Sequence, residues 1–189
     1  MKVRKITLLF GLSVLLMVVM ACTMNIGGPA YPNLHIPVST EAAGQLQSNL
    51  QTAVATGADS GQVTLVVTEQ QVTSYLAAQL QNQAQPLFTD PQVYLRDGQI
   101  QIYGTATQGY LQVTIHIVIS AGVDAQGQVL IDVSNADFGP MPVPVGLKDT
   151  VTSAIQEAYT GAIGPAATGF RLESITVSNG TMTIVGRTK

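Results

Sequence analysis

Leu111-Gln112-Val113-Thr114-Ile115-His116-Ile117-Val118-Ile119-Ser120 is the most regular stretch of the chain. Leu111, Val113, Ile115, Ile117 and Ile119 fall on one side of an extended backbone. Tyr110, Gln112, Thr114, His116 and Ser120 fall on the other, with Val118 as the exception. A period of two with one oily side predicts an antiparallel strand buried on one face and wet on the other. The pattern repeats on both flanks. Val93 and Leu95 precede Asp97-Gly98, a favoured two-residue hairpin turn, and Ile100 and Ile102 follow it. The turn Asp124-Ala125-Gln126-Gly127 leads to Val129, Ile131 and Val133, with Asp132 and Ser134 opposite. These four runs predict an antiparallel meander.

Helical patterns bracket the meander. Leu46, Leu50 and Val54 at four-residue spacing predict a helix over 41–56, capped by Ser39 or Thr40 and ended by Gly57. Val63 to Val67 is a short strand that runs into Thr68-Glu69-Gln70-Gln71, a capping box, with Val67 and Val72 as its hydrophobic staple. Val72, Tyr75, Leu76 and Leu80 then form one face of a second helix, to about residue 84. Gly139-Pro140-Met141-Pro142-Val143-Pro144 breaks the sheet. Leu147, Val151, Ile155 and Ala158 mark a third helix. Ile175 and Val177, the turn Asn179-Gly180, and Met182 and Ile184 predict a final hairpin. Strands and helices in separate runs read as α+β.

The N-terminus carries a different signal. Lys2, Arg4 and Lys5 precede the apolar run Ile6 to Met20, which matches the length of a signal-peptide core and is shorter than the roughly 20 residues of a spanning helix. Val19-Met20-Ala21-Cys22 looks like a bacterial lipobox, although Met20 is bulkier than the residue usual there. The reading is a signal peptide over 1–21, cleavage before Cys22, and diacylglyceryl attachment to its thiol. The alternative is an ordinary secretory signal, or an uncleaved anchor, with an incidental cysteine. Residues 22–40, rich in Gly, Pro and Asn, read as a flexible tether, and 41–189 as one domain.

Cleavage would leave five of the eight basic residues against eleven acidic ones, taking the net charge from -3 to -6. An acidic domain with scattered cations is a poor ligand for nucleic acid, whose binding rests on clustered Lys and Arg. It is equally unsuited to electrostatic docking on anionic headgroups, so membrane attachment falls to the acyl chains. Charged residues are 10% of the chain against about 25% usually. With one cysteine there is no disulfide to stabilise the domain.

The sequence offers no catalytic constellation. His35 lies in the tether, and His116 reads as a solvated imidazole on the polar face of its strand. No His/Cys spacing suits a metal. Asp124, Asp132 and Asp137 lack the spacing of a calcium loop. The expectation is a protein without enzymatic activity, metal or cofactor. A carboxylate hydrolase acting through Asp124 and Asp132 is one rival, and a transmembrane β-barrel is another, which the helices and the small number of strands disfavour. What stands out is apolar. The aliphatic rows are either the solid core of an α+β domain or the lining of a dry groove for acyl chains, and composition alone does not separate the two.

Several motifs together carry a family resemblance. They are Val67-Thr68-Glu69-Gln70-Gln71-Val72 followed by Tyr75-Leu76, then Asp90-Pro91-Gln92-Val93, then Leu95-Arg96-Asp97-Gly98-Gln99-Ile100. Gly139 to Pro144 and Phe170-Arg171-Leu172-Glu173-Ser174-Ile175 before the terminal Asn-Gly hairpin complete the set. The chain resembles the bacterial LmeA-like phospholipid-binding proteins and the related YpmS-like extracytoplasmic proteins, both similar in layout to the tubular lipid-binding (TULIP) superfamily. The resemblance implies a strongly bent antiparallel meander wrapped around one long helix, with further packing helices, as a half-barrel that encloses a lipid channel. It brings no catalytic residues. The lining expected on this basis is Leu76 and Leu80, Leu111, Val113, Ile115, Ile117 and Ile119, Val129, Ile131 and Val133, and Val151 and Ile155. The expected partners are a phospholipid or other acyl-chain lipid and the membrane reached through Cys22, on the outer face of the bacterial cell membrane. A solid-core lipoprotein that scaffolds or binds a partner protein is the other reading.

Overall fold

The computed structural model describes residues 24–147, 149, 152 and 170–188. The expected signal peptide, Cys22 and the larger part of the expected third helix, with Val151 and Ile155, lie outside them.

Among the described residues, two sheets and two helices make an α+β architecture. The larger sheet contains β1 (Met24–Asn25), β3 (Thr89–Arg96), β4 (Gln99–Gln108), β5 (Leu111–Val123) and β6 (Val129–Asp137). Strands β3, β4, β5 and β6 are antiparallel neighbours, as the alternation predicts, and β1 adds a short parallel pairing to β5. The smaller sheet is antiparallel, ordered β2 (Gln62–Thr68), β8 (Thr181–Thr188), β7 (Phe170–Ser178). The terminal hairpin therefore does not extend the meander. It pairs instead with β2, more than a hundred residues earlier. Among the described residues neither sheet closes into a barrel.

Local sequence explains the helices. In α1 (Thr40–Ser60) the Ser39 hydroxyl accepts from the Ala42 N–H. The helix runs past Gly57, the expected stop, and ends at Gly61, whose φ of 77° is the left-handed conformation of a glycine cap. Gly57 serves a different purpose: a Cβ there would collide with the Val63 side chain, so the missing methyl lets α1 lie close to β2. In α2 (Glu69–Gln81) the capping box forms in full. Thr68 Oγ1 accepts from the Gln71 N–H at 3.3 Å, and Gln71 Oε1 accepts from the Thr68 N–H at 3.0 Å.

Both predicted Asx-Gly turns are present. Asp97 and Gly98, and Asn179 and Gly180, all have positive φ, as a tight two-residue hairpin needs. Glu69 ties the two sheets together. Its Oε1 accepts from the Leu95 N–H at 2.8 Å, its N–H donates to the Gly180 carbonyl, and Gly180 N–H donates to the Leu95 carbonyl.

The stretch read as a flexible tether is, from residue 24 onward, part of the domain. Met24 and Asn25 pair with Leu111 and Gln112, and the ladder continues through Ile26 N–H to the Gln112 carbonyl and Thr114 N–H to the Gly27 carbonyl. Residues 26–39 then run as a strap to α1, and Ile36 is only 5% exposed. Proline and glycine gave the strap no period, but its backbone finds partners in distant residues, and that holds it down.

Candidate functional site

Strand β5 divides the large sheet into two faces of different chemistry. On the first, Val113, Ile115, Ile117 and Ile119 are at most 1% exposed. Register places Ala106, Gly104, Ile102 and Ile100 of β4 opposite them. Leu80, Phe88, Phe138 and Leu147 close over the row. Phe88 sits against Gly104, where any Cβ would strike the edge of its ring. A second cluster, Val93, Leu95 and Val177, continues the face beneath α2 and the small sheet, and Leu76 touches both.

Eight residues of the expected lining are thus brought together: Leu76, Leu80, Val113, Ile115, Ile117, Ile119, Ile131 and Val133. Ile131 and Val133 are half-buried, as are Ala136 and Met141 beside them. Leu111 is 38% exposed at the strand's end, and Val129 is half-buried outside the cluster, so these two do not join it. Phe88 and Phe138 were not legible as core, since each stands just outside a strand, where alternation has no force.

Cover is uneven across this face. Helix α2 packs on β3, α1 packs on β2 and α2, and neither described helix makes more than marginal contact with β6. The aliphatic surface therefore grades from solid packing along β5 to partial exposure along β6.

The second face corrects the expectation of a wet surface. His116 is stacked on Tyr103 at 4.2 Å between centroids and 12° between planes. Tyr94 meets Tyr103 edge-on at 5.7 Å, and Tyr31 approaches from the strap at 5.8 Å. His116 Nε2 is buried without a hydrogen-bond partner. Burial lowers the His116 pKa below the ordinary imidazole value, with Asp137 pulling the other way, so the ring is neutral near pH 7. Burial likewise raises the phenols of Tyr31, Tyr94 and Tyr103.

The strap covers these rings through specific bonds. Gln92, 2% exposed, accepts from the Ile36 N–H at 2.7 Å and donates to the Ile36 carbonyl at 3.2 Å. The Tyr94 hydroxyl donates to the Leu34 carbonyl, the Tyr31 hydroxyl to the Asp90 carbonyl at 2.9 Å, and the Ser39 N–H to Ser74 Oγ at 3.1 Å. A sequence that alternates Tyr, Thr, Gln and His looks polar, yet aromatic rings beside a strap leave this face half-buried, with Tyr94 buried outright.

Two surface cavities lie away from the β5 row. One, of about 510 Å³, runs between α1 and β2 and has a mixed lining that includes Asn49, Thr52, Gln62, Ala53, Leu65 and Val66. The other, of about 470 Å³, lies between the strap, the end of α2 and the start of β3, and includes His35, Val38, Leu80 and Pro91. Among the described residues of the expected lining, Leu80 reaches the second of them and none reaches the first. Among the described residues no group of three or more His, Cys, Asp or Glu could hold a metal ion, and no helix is long and apolar enough to cross a membrane. Asp124 accepts from the backbone N–H groups of Gln126 and Gln128, which is turn chemistry. No protein-family model and no curated protein matches the chain.

Proposed function

We propose that the chain is an exported lipoprotein, lipidated at Cys22 on the outer face of the bacterial cell membrane, whose domain takes up an acyl chain of a phospholipid or similar lipid. The work is burial and involves no chemistry. The observation that carries this reading is the gradient on the first face. Solid aliphatic packing along β5 passes into half-buried Ile131, Val133, Ala136 and Met141 on β6 and beyond, away from both described helices. An acyl chain laid along that edge extends the core outward, gaining about 25 cal/mol per Å² of apolar surface covered. The resemblance to LmeA-like and YpmS-like proteins, and a TULIP-like wrap of the sheet, agree with this reading and belong to the same proposal.

A second reading is favoured by a specific observation. Val113, Ile115, Ile117 and Ile119 are so fully packed that no ligand runs alongside them in this state. A solid-core lipoprotein that presents its surface to a partner protein would have that interior. Native mass spectrometry of the processed protein, purified from membranes and then offered phospholipid, separates the two. The proposal expects co-purified lipid, or uptake of one lipid per chain. Protein that leaves the cell ligand-free and takes up none supports the solid-core module.

A further inference from the structure

The way the chain enters its sheet fixes which end of the domain meets the membrane. Had residues 22–40 been a free tether, the domain could drift tens of ångströms from its anchor, since each extended residue adds up to about 3.5 Å. The β1–β5 pairing removes that freedom. Met24 is already hydrogen-bond partner to the Leu111 end of β5, so Cys22 stands two residues, or about 7 Å of chain, from a fixed point on the sheet.

The turn beside that point is uncharged, with Thr107 and Gln108 as its exposed polar residues. Tyr110 and Leu111, in and after the β4–β5 turn, are 73% and 38% exposed. Strand β6 runs toward the same end, from Val123's partner Val129 to His116's partner Asp137. The chain then leaves the sheet at Gly139, so close to Gly28 and Val113 that a Cβ at 139 would come within 2.9 Å of the Gly28 Cα. The loop that follows exposes Val143 (46%) and Val145 (104%). Neither 99–123 nor 138–147 contains a single Asp, Glu, Lys or Arg. At the opposite end of the sheet stand Arg96, Asp97 and Asp124, with Arg171 donating to the Ala125 carbonyl. An acidic domain held close to a bilayer must turn some face toward it, and at this end the nearest carboxylates of the sheet, Asp90 and Asp137, stand back from the tip, beside the levels of Thr105 and His116.

We propose that the end of the large sheet bearing Tyr110, Leu111, Val143 and Val145 rests on the bilayer that holds the chain's own anchor. The inference rests on the lipidation of Cys22 proposed above. Tyr110 is suited to the headgroup level, where an amphipathic ring keeps its hydroxyl wet. With no ion pairs in the contact, seating is insensitive to salt.

The chain has no tryptophan, so a single introduced indole reports on its own surroundings. Tyr110→Trp, Val145→Trp and Gln126→Trp lipoproteins are expressed from the full precursor and reconstituted on phosphatidylcholine vesicles containing lipids brominated near the headgroup. Trp at 110 and at 145 is expected to shift to the blue and lose most of its emission, at low and high salt alike, while Trp at 126 keeps its aqueous spectrum. Vesicle-bound protein in which neither 110 nor 145 is quenched, or in which 126 is quenched as strongly, overturns the proposal. The N-terminal mass reads the anchor separately. If Cys22 carries no lipid, the lipidation reading fails, and the single thiol is then coupled to a maleimide phospholipid. The same three indoles decide the seating in that form.

Discussion

The two faces of β5 hold the same strand by opposite means. On one side Val113, Ile115, Ile117 and Ile119 are buried by shape alone, packed against Phe88, Phe138 and Leu80 with no polar atom to satisfy. On the other, Tyr103 and His116 are half-buried beside a strap whose placement depends on hydrogen bonds with Gln92, Tyr94 and Ser74. Aliphatic packing tolerates sliding and gradual exposure, as the passage from β5 to β6 illustrates. A bonded strap is either docked or released, because Ile36 in the released state would exchange two protein hydrogen bonds for water. The proposed acyl chain would be added to the first face, whereas the second is where residues 26–39 are held in place.

Substitutions sharpen that contrast in decreasing order of effect. Ile117→Ala, at the centre of the aliphatic row, is expected to cost about 2–5 kcal/mol in urea unfolding, through lost transfer energy plus the cavity left behind. A much smaller loss would mean that the row is loosely packed. Gln92→Ala leaves the buried N–H and C=O of Ile36 unpaired, at about 1–3 kcal/mol for each group. It is also expected to open the strap to limited proteolysis between residues 26 and 38 while the β3–β6 core resists. Tyr103→Leu keeps apolar volume but removes the stack and both ring contacts, and is expected to cost about 0.5–1.5 kcal/mol beyond the change in burial.

The smallest effect is a pH dependence. The unfolded imidazole titrates near 6.5, whereas burial holds folded His116 below that value. Below pH 6.5 the unfolded chain binds the proton and the folded one resists it. Stability is therefore highest above that point, falls as pH drops toward the folded pKa, and levels beneath it. His116→Phe keeps a ring on Tyr103 and removes the proton, so its unfolding midpoint is expected to change less between pH 7.5 and 5.5 than the parent's. Identical pH profiles would place His116 in contact with water.

What the sequence made legible follows the range of the interactions involved. Thr68 and Gln71 are three residues apart, so their capping box could be read directly, and so could the Asp97-Gly98 and Asn179-Gly180 turns and the alternation from Val93 to Val133. The split into two sheets was not legible, because nothing in Ile175 to Ile184 announces that its partner is β2 rather than β6. The strap was missed for the same reason: its composition is that of a linker, and its order comes from Gln92 and Tyr94, more than fifty residues away. His116 was misread because alternation assigns a residue to a face and leaves open what covers that face. Of the expected lining, the residues on β5 and α2 converge. Leu111 and Val129 stand at strand ends, where alternation persists and packing does not.

The central claim, that the β6 side of the aliphatic face receives an acyl chain, is tested most directly by photo-crosslinking the reconstituted lipoprotein with a phospholipid that carries a diazirine in its acyl chain. Label mapped by peptide mass spectrometry to the segment around Ile131, Val133 and Met141, and competed away by unlabelled phospholipid, is the predicted result. Label spread evenly over the surface, or confined to the membrane-seated Tyr110 turn with none on β6, would contradict it.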